Sequence, residues 1–296
     1  MLPLTNHFSV FNLGYHKKAW SNMGELSGLI KKHQVVAFFI IVFVISWGLW
    51  IPDIIITGGK VSLLIYAGGF GPFLSAIFVT LIVEKRPGLH KWFRRTFRFR
   101  INVLWYLLGA LFLPIGVVLL QFGLYLFFGG QPDFSNSLPW WLYLINLPIV
   151  MLFAGGNEEP GWRGFALPKL LIKQNPLVAS LIIGIIWAVW HIPIFFNSEW
   201  SGAGTSFVWF LANTVGLSLI MTWLYYKSSR SVFPVMLFHQ ATNIIWNYFP
   251  MPDDVLTGVD DFIVLKTIVY WTIAIVLIIV TKGHLSYQPE LSSPKV

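Results

Sequence analysis

The strongest constraint on this chain is the recurrence of apolar runs long enough to cross a bilayer. A helical span needs roughly 20 mostly apolar residues. Eight such runs occur, at about 35–51, 61–83, 102–129, 139–157, 177–196, 207–226, 231–249 and 262–280. They are continuous rather than broken into alternating segments of about 10 residues, so they read as α-helices and not as barrel strands. The third is the longest and contains Pro114 and Gly116, which predicts a kink or tilt. Charged residues make up only 11% of the chain, against roughly 25% in a soluble domain. So few charges cannot coat a water-soluble body of 296 residues. The same scarcity excludes intrinsic disorder and a long coiled coil, and the absence of a Gly-X-Y period excludes collagen. The predicted fold class is all-α: a polytopic membrane protein with about eight transmembrane helices in a lipid bilayer.

With an even number of spans, both termini and three connecting loops share one side of the membrane. That side holds 18 of the 20 basic residues, among them Lys17, Lys18, Lys31, Lys32 and the cluster from Lys85 to Arg100. The other side holds Lys60 and Lys266 and most of the acids. The positive-inside rule then places both termini in the cytoplasm. The net charge of +8 is thus accounted for by topology, and no nucleic-acid partner is expected. Residues 1–34 are read as a cytoplasmic segment, 35–283 as the transmembrane domain and 284–296 as a short disordered cytoplasmic tail. No convincing cleavage site follows the first apolar run, so that run is read as an anchor that stays. The Glu84–Arg100 stretch, basic and interleaved with Trp92, Phe93, Phe97 and Phe99, is read as a topogenic loop. The alternative is an amphipathic segment lying on anionic headgroups. Cysteine is absent, which excludes disulfides, Cys-ligated metals and a thiol nucleophile. No internal repeat is evident, and nothing sets the oligomeric state. A short-looped, cysteine-free membrane chain is expected in a bacterial plasma membrane.

Ionisable groups within spans are costly and are functional candidates by default. Three places qualify. Glu158 and Glu159 end the fourth run, with Arg163 one helical turn beyond Glu159, so Glu159 and Arg163 can pair on one face while Glu158 points elsewhere. The bland alternative is a helix end with two solvated acids. His191 sits in the fifth run with Trp187 one turn earlier, able to wall a pocket around the imidazole; alternatively it is a buried histidine bonded to a backbone carbonyl. His239 and Asn243, four apart, present an imidazole and a carboxamide to one point; alternatively they are polar glue between helices. Together the three places hold the parts for hydrolysing a peptide bond: a carboxylate to take a proton from water, imidazoles to orient it, and an amide to donate to the developing oxyanion. One carboxylate with two histidines, here Glu158, His191 and His239, is also a ligand set for a divalent metal such as zinc. Neither HExxH nor GxSxG is present.

The sequence Glu158-Glu159-x-x-x-Arg163, then Trp187-x-x-x-His191, then His239-x-x-x-Asn243 resembles the CPBP family of intramembrane proteases, which includes the CAAX proteases and the bacteriocin-processing Abi proteins. The resemblance covers about 141–249. It implies an α-helical intramembrane endopeptidase in which Glu158 activates water with help from His191, Glu159 and Arg163 brace the site, and His239 and Asn243 form the oxyanion site. A divalent metal on Glu158, His191 and His239 is left open by the resemblance. Trp187 replaces the Phe frequent at that position, read as a neutral aromatic exchange. Family substrates include the C-terminal tripeptide of prenylated proteins and maturing peptides; for a bacterial chain the second is preferred. Competing readings are a non-catalytic membrane-binding or bacteriocin-immunity protein and, less favoured because the first half lacks polar counterparts, an ion-coupled transporter. One conflict stands in the linear reading. If Glu158 lies near the cytoplasmic end of its span, His191 is roughly 21 Å deeper at 1.5 Å per residue, and the two meet only if the fifth helix protrudes into the cytosol before entering or residues 164–176 form part of an embedded hairpin.

Overall fold

The computed structural model describes residues 24–200, 204–251, 255–256 and 261–288; Lys17, Lys18, Asp253, Asp254, Asp260 and Lys295 lie outside them. Helices account for all regular structure among the described residues. A helical stretch at 24–32 leads into α1 (Gln34–Thr57). Then come α2 (Gly71–Thr96), α3 (Val103–Phe127), α4 (Trp141–Met151), the helical run 156–170 (α5), α6 (Pro176–Trp190), α7 (Phe207–Lys227), α8 (Phe233–Ile244) and α9 (Asp261–Val280).

Among the described residues, five helices are long and apolar enough to cross a membrane: α1, α3, α6 with its extension to Phe196, α7 and α9. The other three expected spans are helical but differ in form. The run 61–83 is a short helix (Leu63–Gly68) followed by the start of α2, and α4 and α8 are only 11 and 12 residues long. The chain is a polytopic helical membrane protein, while eight complete spans are not reached by helix length.

α1 shows how an all-apolar helix is oriented. Phe38, Val42, Ser46, Trp50 and Asp53 are buried on one stripe, and Val36, Ile40, Val44, Ile51 and Ile55 are exposed on the other. Both stripes repeat at three, four or seven residues, the helical period. The polar positions face inward, where Ser46 donates to the Gly68 carbonyl at 2.7 Å and the Trp47 indole to the Trp190 carbonyl at 2.9 Å. In α3 the turn at Leu108–Phe112 is a π-helix that precedes Pro114, whose ring cannot continue regular bonding. The expected irregularity of the third span is therefore local.

The stretch read as a basic loop is helical. α2 breaks at Lys85 (φ 57°, ψ −162°), two residues before Pro87, and continues to Thr96. Beyond the break Gly88, Trp92 and Thr96 are buried while Lys91, Arg94 and Arg95 are exposed. The packing partner explains the helix. Pro168 in α5 has no N–H to give to the Gly164 carbonyl four residues back. That carbonyl instead accepts from the Trp92 indole at 3.1 Å and from Arg95 at 2.9 Å. The start of the expected disordered tail is also packed: Leu285 is buried, Tyr287 stacks edge-on against Tyr226, and the Gln288 carbonyl accepts from Arg230.

The α5–α6 hairpin resolves the depth conflict. α5 carries the chain on past Glu158 to Leu170, and α6 returns after Asn175, whose side chain caps Val178 with Pro176 in the first turn. Glu158 lies 12 residues before Leu170, and Trp187 lies 12 residues after Asn175. Both arms rise about 18 Å, so the two side chains sit at one level. The span that begins with α4 therefore does not end at Asn157; after a break it runs on to about Leu170.

Candidate active site

The site begins where α4 stops. The chain passes through Gly155 at φ 120°, ψ −63°, a conformation L side chains rarely adopt. Glycine is needed here for space as well. A Cβ would lie 2.5 Å from Asn243 Nδ2 and 3.0 Å from His239 Nε2. The Gly155 N–H donates to Asn157 Oδ1 at 2.9 Å, and a new helix starts at once, with Pro160 in its first turn. Pro160 is a helix starter for α5. α5 approaches α2 closely because Gly161 has no side chain; a Cβ there would meet the Pro72 carbonyl at 2.4 Å.

Glu159 and Arg163 pair as their spacing predicts. Arg163 Nη1 lies 3.0 and 2.9 Å from the two Glu159 oxygens, and both residues are fully buried. The same carboxylate meets His239 Nδ1 at 2.8 Å. Arg163 Nη2 donates to Ser218 Oγ at 3.0 Å, and Ser218 donates on to the Ser180 carbonyl at 2.9 Å. Four helices, α5, α6, α7 and α8, are thus joined by one carboxylate, one guanidinium and one hydroxyl. Ser218 was not among the residues singled out from sequence; a lone serine in an apolar helix gives no signal of its partner.

Glu158 is held differently. Its Oε2 accepts from the Trp187 indole at 2.7 Å and from the Trp162 indole at 3.2 Å. The replacement of Phe by Trp at 187 is therefore not neutral, since a phenyl ring has no N–H to give. Trp187 points its donor at the carboxylate rather than merely walling the imidazole. Trp187→Phe is expected to lower kcat/KM about 10- to 100-fold, the worth of one hydrogen bond to a charged group. The loss should fall mainly on kcat, measured with peptide in proteoliposomes, with thermal unfolding nearly unmoved. An unaltered kcat would show that Trp162 alone orients Glu158.

His191 Nδ1 faces the Trp187 carbonyl at 2.8 Å. A carbonyl only accepts, so Nδ1 carries the proton and Nε2 keeps its lone pair. The ring lies between Trp200, nearly parallel with centroids 6.0 Å apart, and Phe210 at 5.3 Å. Asn243 Nδ2 donates to the Ala154 carbonyl at 3.3 Å. Glu158, His191, His239 and Asn243 all line one cavity of about 510 Å³, while Glu159 and Arg163 sit behind it. Gln240 lines it too, with both amide atoms buried and unpartnered.

Among the described residues, no three His, Asp or Glu side chains converge closely enough to hold a metal ion. Each imidazole has its Nδ1 committed, and Glu158 Oε2 is occupied by two indoles. The two Nε2 atoms and Glu158 Oε1 are the atoms left to face a metal, and the chemistry below uses the protein's own groups.

Residues 139–245 match the family described as Type II CAAX prenyl endopeptidase Rce1-like. The chain is also similar to CAAX prenyl protease 2 of Methanococcus maripaludis, 26% identical over 228 residues that cover 72% of this chain and 84% of the relative. Both likenesses support the resemblance of residues 141–249 to the CPBP family of intramembrane proteases. The matched stretch contains all six candidate residues, from Glu158 to Asn243. That resemblance supports an enzyme that acts on protein at a lipid bilayer. What the geometry adds is the internal order of the site: a cavity-facing set of four, and a buried pair that supports them.

Proposed function

We propose that this protein is a CPBP protease that cleaves near the C terminus of a prenylated, membrane-associated substrate, using water activated by Glu158 and His191. The contact that carries this reading is the Trp187 indole on Glu158 at 2.7 Å, because it brings the carboxylate of α5 beside the imidazole of α6 at one cavity wall. Water bound there is polarised by His191 Nε2 and gives its proton to Glu158. Its oxygen bonds to the scissile carbonyl carbon while the carbonyl oxygen takes the negative charge. Asn243 Nδ2 and His239 Nε2 converge beside Gly155 and donate to that oxygen. Nε2 donates only when the His239 ring carries both protons; the imidazolium and Arg163 then balance Glu158 and Glu159. The C–N bond breaks as the proton passes from Glu158 to the leaving amine. Glu159 and Arg163 fix the ring and the helix without touching substrate.

The substrate class is supported by the name of the Methanococcus maripaludis relative, which favours a prenylated C-terminal motif over the maturing peptide preferred from composition. The purified full chain in liposomes is expected to release the last three residues of a farnesylated CAAX peptide and to process the unprenylated peptide far more slowly. Equal rates on both peptides would sink the prenyl specificity. No release from either, with the biological effect retained in Glu158→Ala and His191→Ala, would instead support the passive membrane-binding or immunity reading.

A further inference from the structure

Lys266 is the one lysine or arginine among the described residues lining the cavity, and the reaction above does not use it. It lies in α9, outside the stretch that matches the family, five residues into a helix that is otherwise almost wholly apolar. Counted from sequence at the far surface, it lines the same cavity as Glu158, His191 and His239. Its Nζ stands 4.6, 5.7 and 5.8 Å from the ring centroids of Trp246, Phe262 and Tyr270. Aromatic faces attract a cation but leave its N–H donors unfilled. Among the described residues its one hydrogen-bond contact is long, 3.5 Å to the Thr242 carbonyl. That carbonyl is shared, since it also accepts from the Trp246 indole at 2.5 Å. Among the described residues no carboxylate pairs with Lys266. The acids of the site are engaged elsewhere: Glu158 by two indoles, Glu159 by Arg163 and His239, and Glu199 by the Val61 N–H at 2.9 Å. A cation at membrane depth with no carboxylate partner among the described residues is complementary to an anionic ligand.

We propose that Lys266 receives the free C-terminal α-carboxylate of the peptide being cut, so that the bond broken lies a short, fixed distance from a chain end. The proposal deepens the endopeptidase reading and rests on it. Its placement follows from α8. Thr242 precedes Asn243 and lies three residues beyond His239 on that helix, roughly 4.5 Å along the axis. The ammonium therefore sits just past the oxyanion donors, on one side of the scissile bond. An extended tail advances about 3.3–3.6 Å per residue, so a tail of a few residues brings its carboxylate to Nζ. There it gains charge-assisted hydrogen bonds with the cation held by the three rings. A carboxamide terminus offers no charge to match.

The test uses full-length protein in proteoliposomes and quenched peptides of one sequence ending in a free acid, in an amide, or in an amide after a terminal Glu, with tails of one to five residues. The expected result is a preference for the free acid over the amide of roughly 10-fold or more, carried by KM, with an optimum tail length. Lys266→Met should bring acid and amide to similar rates and flatten the length dependence, with kcat little moved; Lys266→Arg should restore the preference. Retention of the preference in Lys266→Met, or its absence in the wild type, overturns the proposal. Equal use of the terminal Glu amide overturns it in favour of an acidic side-chain pocket. Wild-type protein supplies a second readout that needs no variant: competition by a product-like tripeptide acid should be stronger than by its amide. Failure of the endopeptidase reading is separable, since then no peptide is cut at all, while tripeptide binding still reports on Lys266.

Discussion

Glu158→Gln is expected to reduce kcat at least about 1,000-fold, towards the upper end of what general-base catalysis contributes, while leaving the fold intact. The substitution keeps the side chain's size, and the carboxamide oxygen can still accept from the Trp187 and Trp162 indoles. It removes the proton acceptor and nothing else in the contact set. Arg163, His239 and Glu159 are bonded to one another rather than to Glu158, so the buried network has no reason to reorganise. Single-turnover cleavage in proteoliposomes, alongside thermal unfolding in the same lipid, checks both halves. Activity retained to within tenfold would remove Glu158 from the base role. Lost activity with a large fall in unfolding temperature would mean that Glu158 is structural.

The second large effect concerns stability. Arg163→Met should destabilise the protein by about 3–5 kcal/mol, the range for removing one partner of a buried ion pair. The reason is local. Glu159 would keep His239 but lose the cation at 3.0 and 2.9 Å, in a place with no water exposure. Ser218 would lose its donor, and the Trp187 ring would lose the guanidinium 5.2 Å from its centroid. Pairing the change with Glu159→Gln removes the stranded charge, so the double variant should recover much of the loss even though its activity stays low. Thermal unfolding of the two single variants and the double variant measures this cycle. Equal stability of wild type and Arg163→Met would show that the pair does not hold the four helices together.

The site was legible to the extent that its chemistry is periodic. Glu159 and Arg163, and His239 and Asn243, are each four residues apart, so helix geometry alone puts each pair on one face. Glu158, His191 and the pairs stand out because charge and imidazole are rare in apolar runs. What could not be read was the level of each group. Pro160 and two carboxylates look like the end of a span, and only the hairpin of α5 and α6 shows that the helix restarts there and continues. Trp187 was visible as an aromatic, but the aim of its indole N–H depends on the rotamer and on where Glu158 lies. Trp92 and Arg95 looked like a loop's basic character; their partner is a carbonyl that Pro168 leaves open, 72 and 69 residues away in sequence.

The sequence by itself determined that this chain is an all-helical membrane protein, because a chain with so little charge and so many long apolar runs has no soluble alternative. It also determined which residues could do chemistry, because ionisable groups are expensive in such runs and few are present. Only the tertiary structure decided which of them share a cavity, which brace it from behind, and that Lys266 joins them. Those relations depend on helix lengths, breaks and close approaches between segments remote in the chain. The first kind of information is carried by transfer free energies of individual residues, the second by the packing of whole helices.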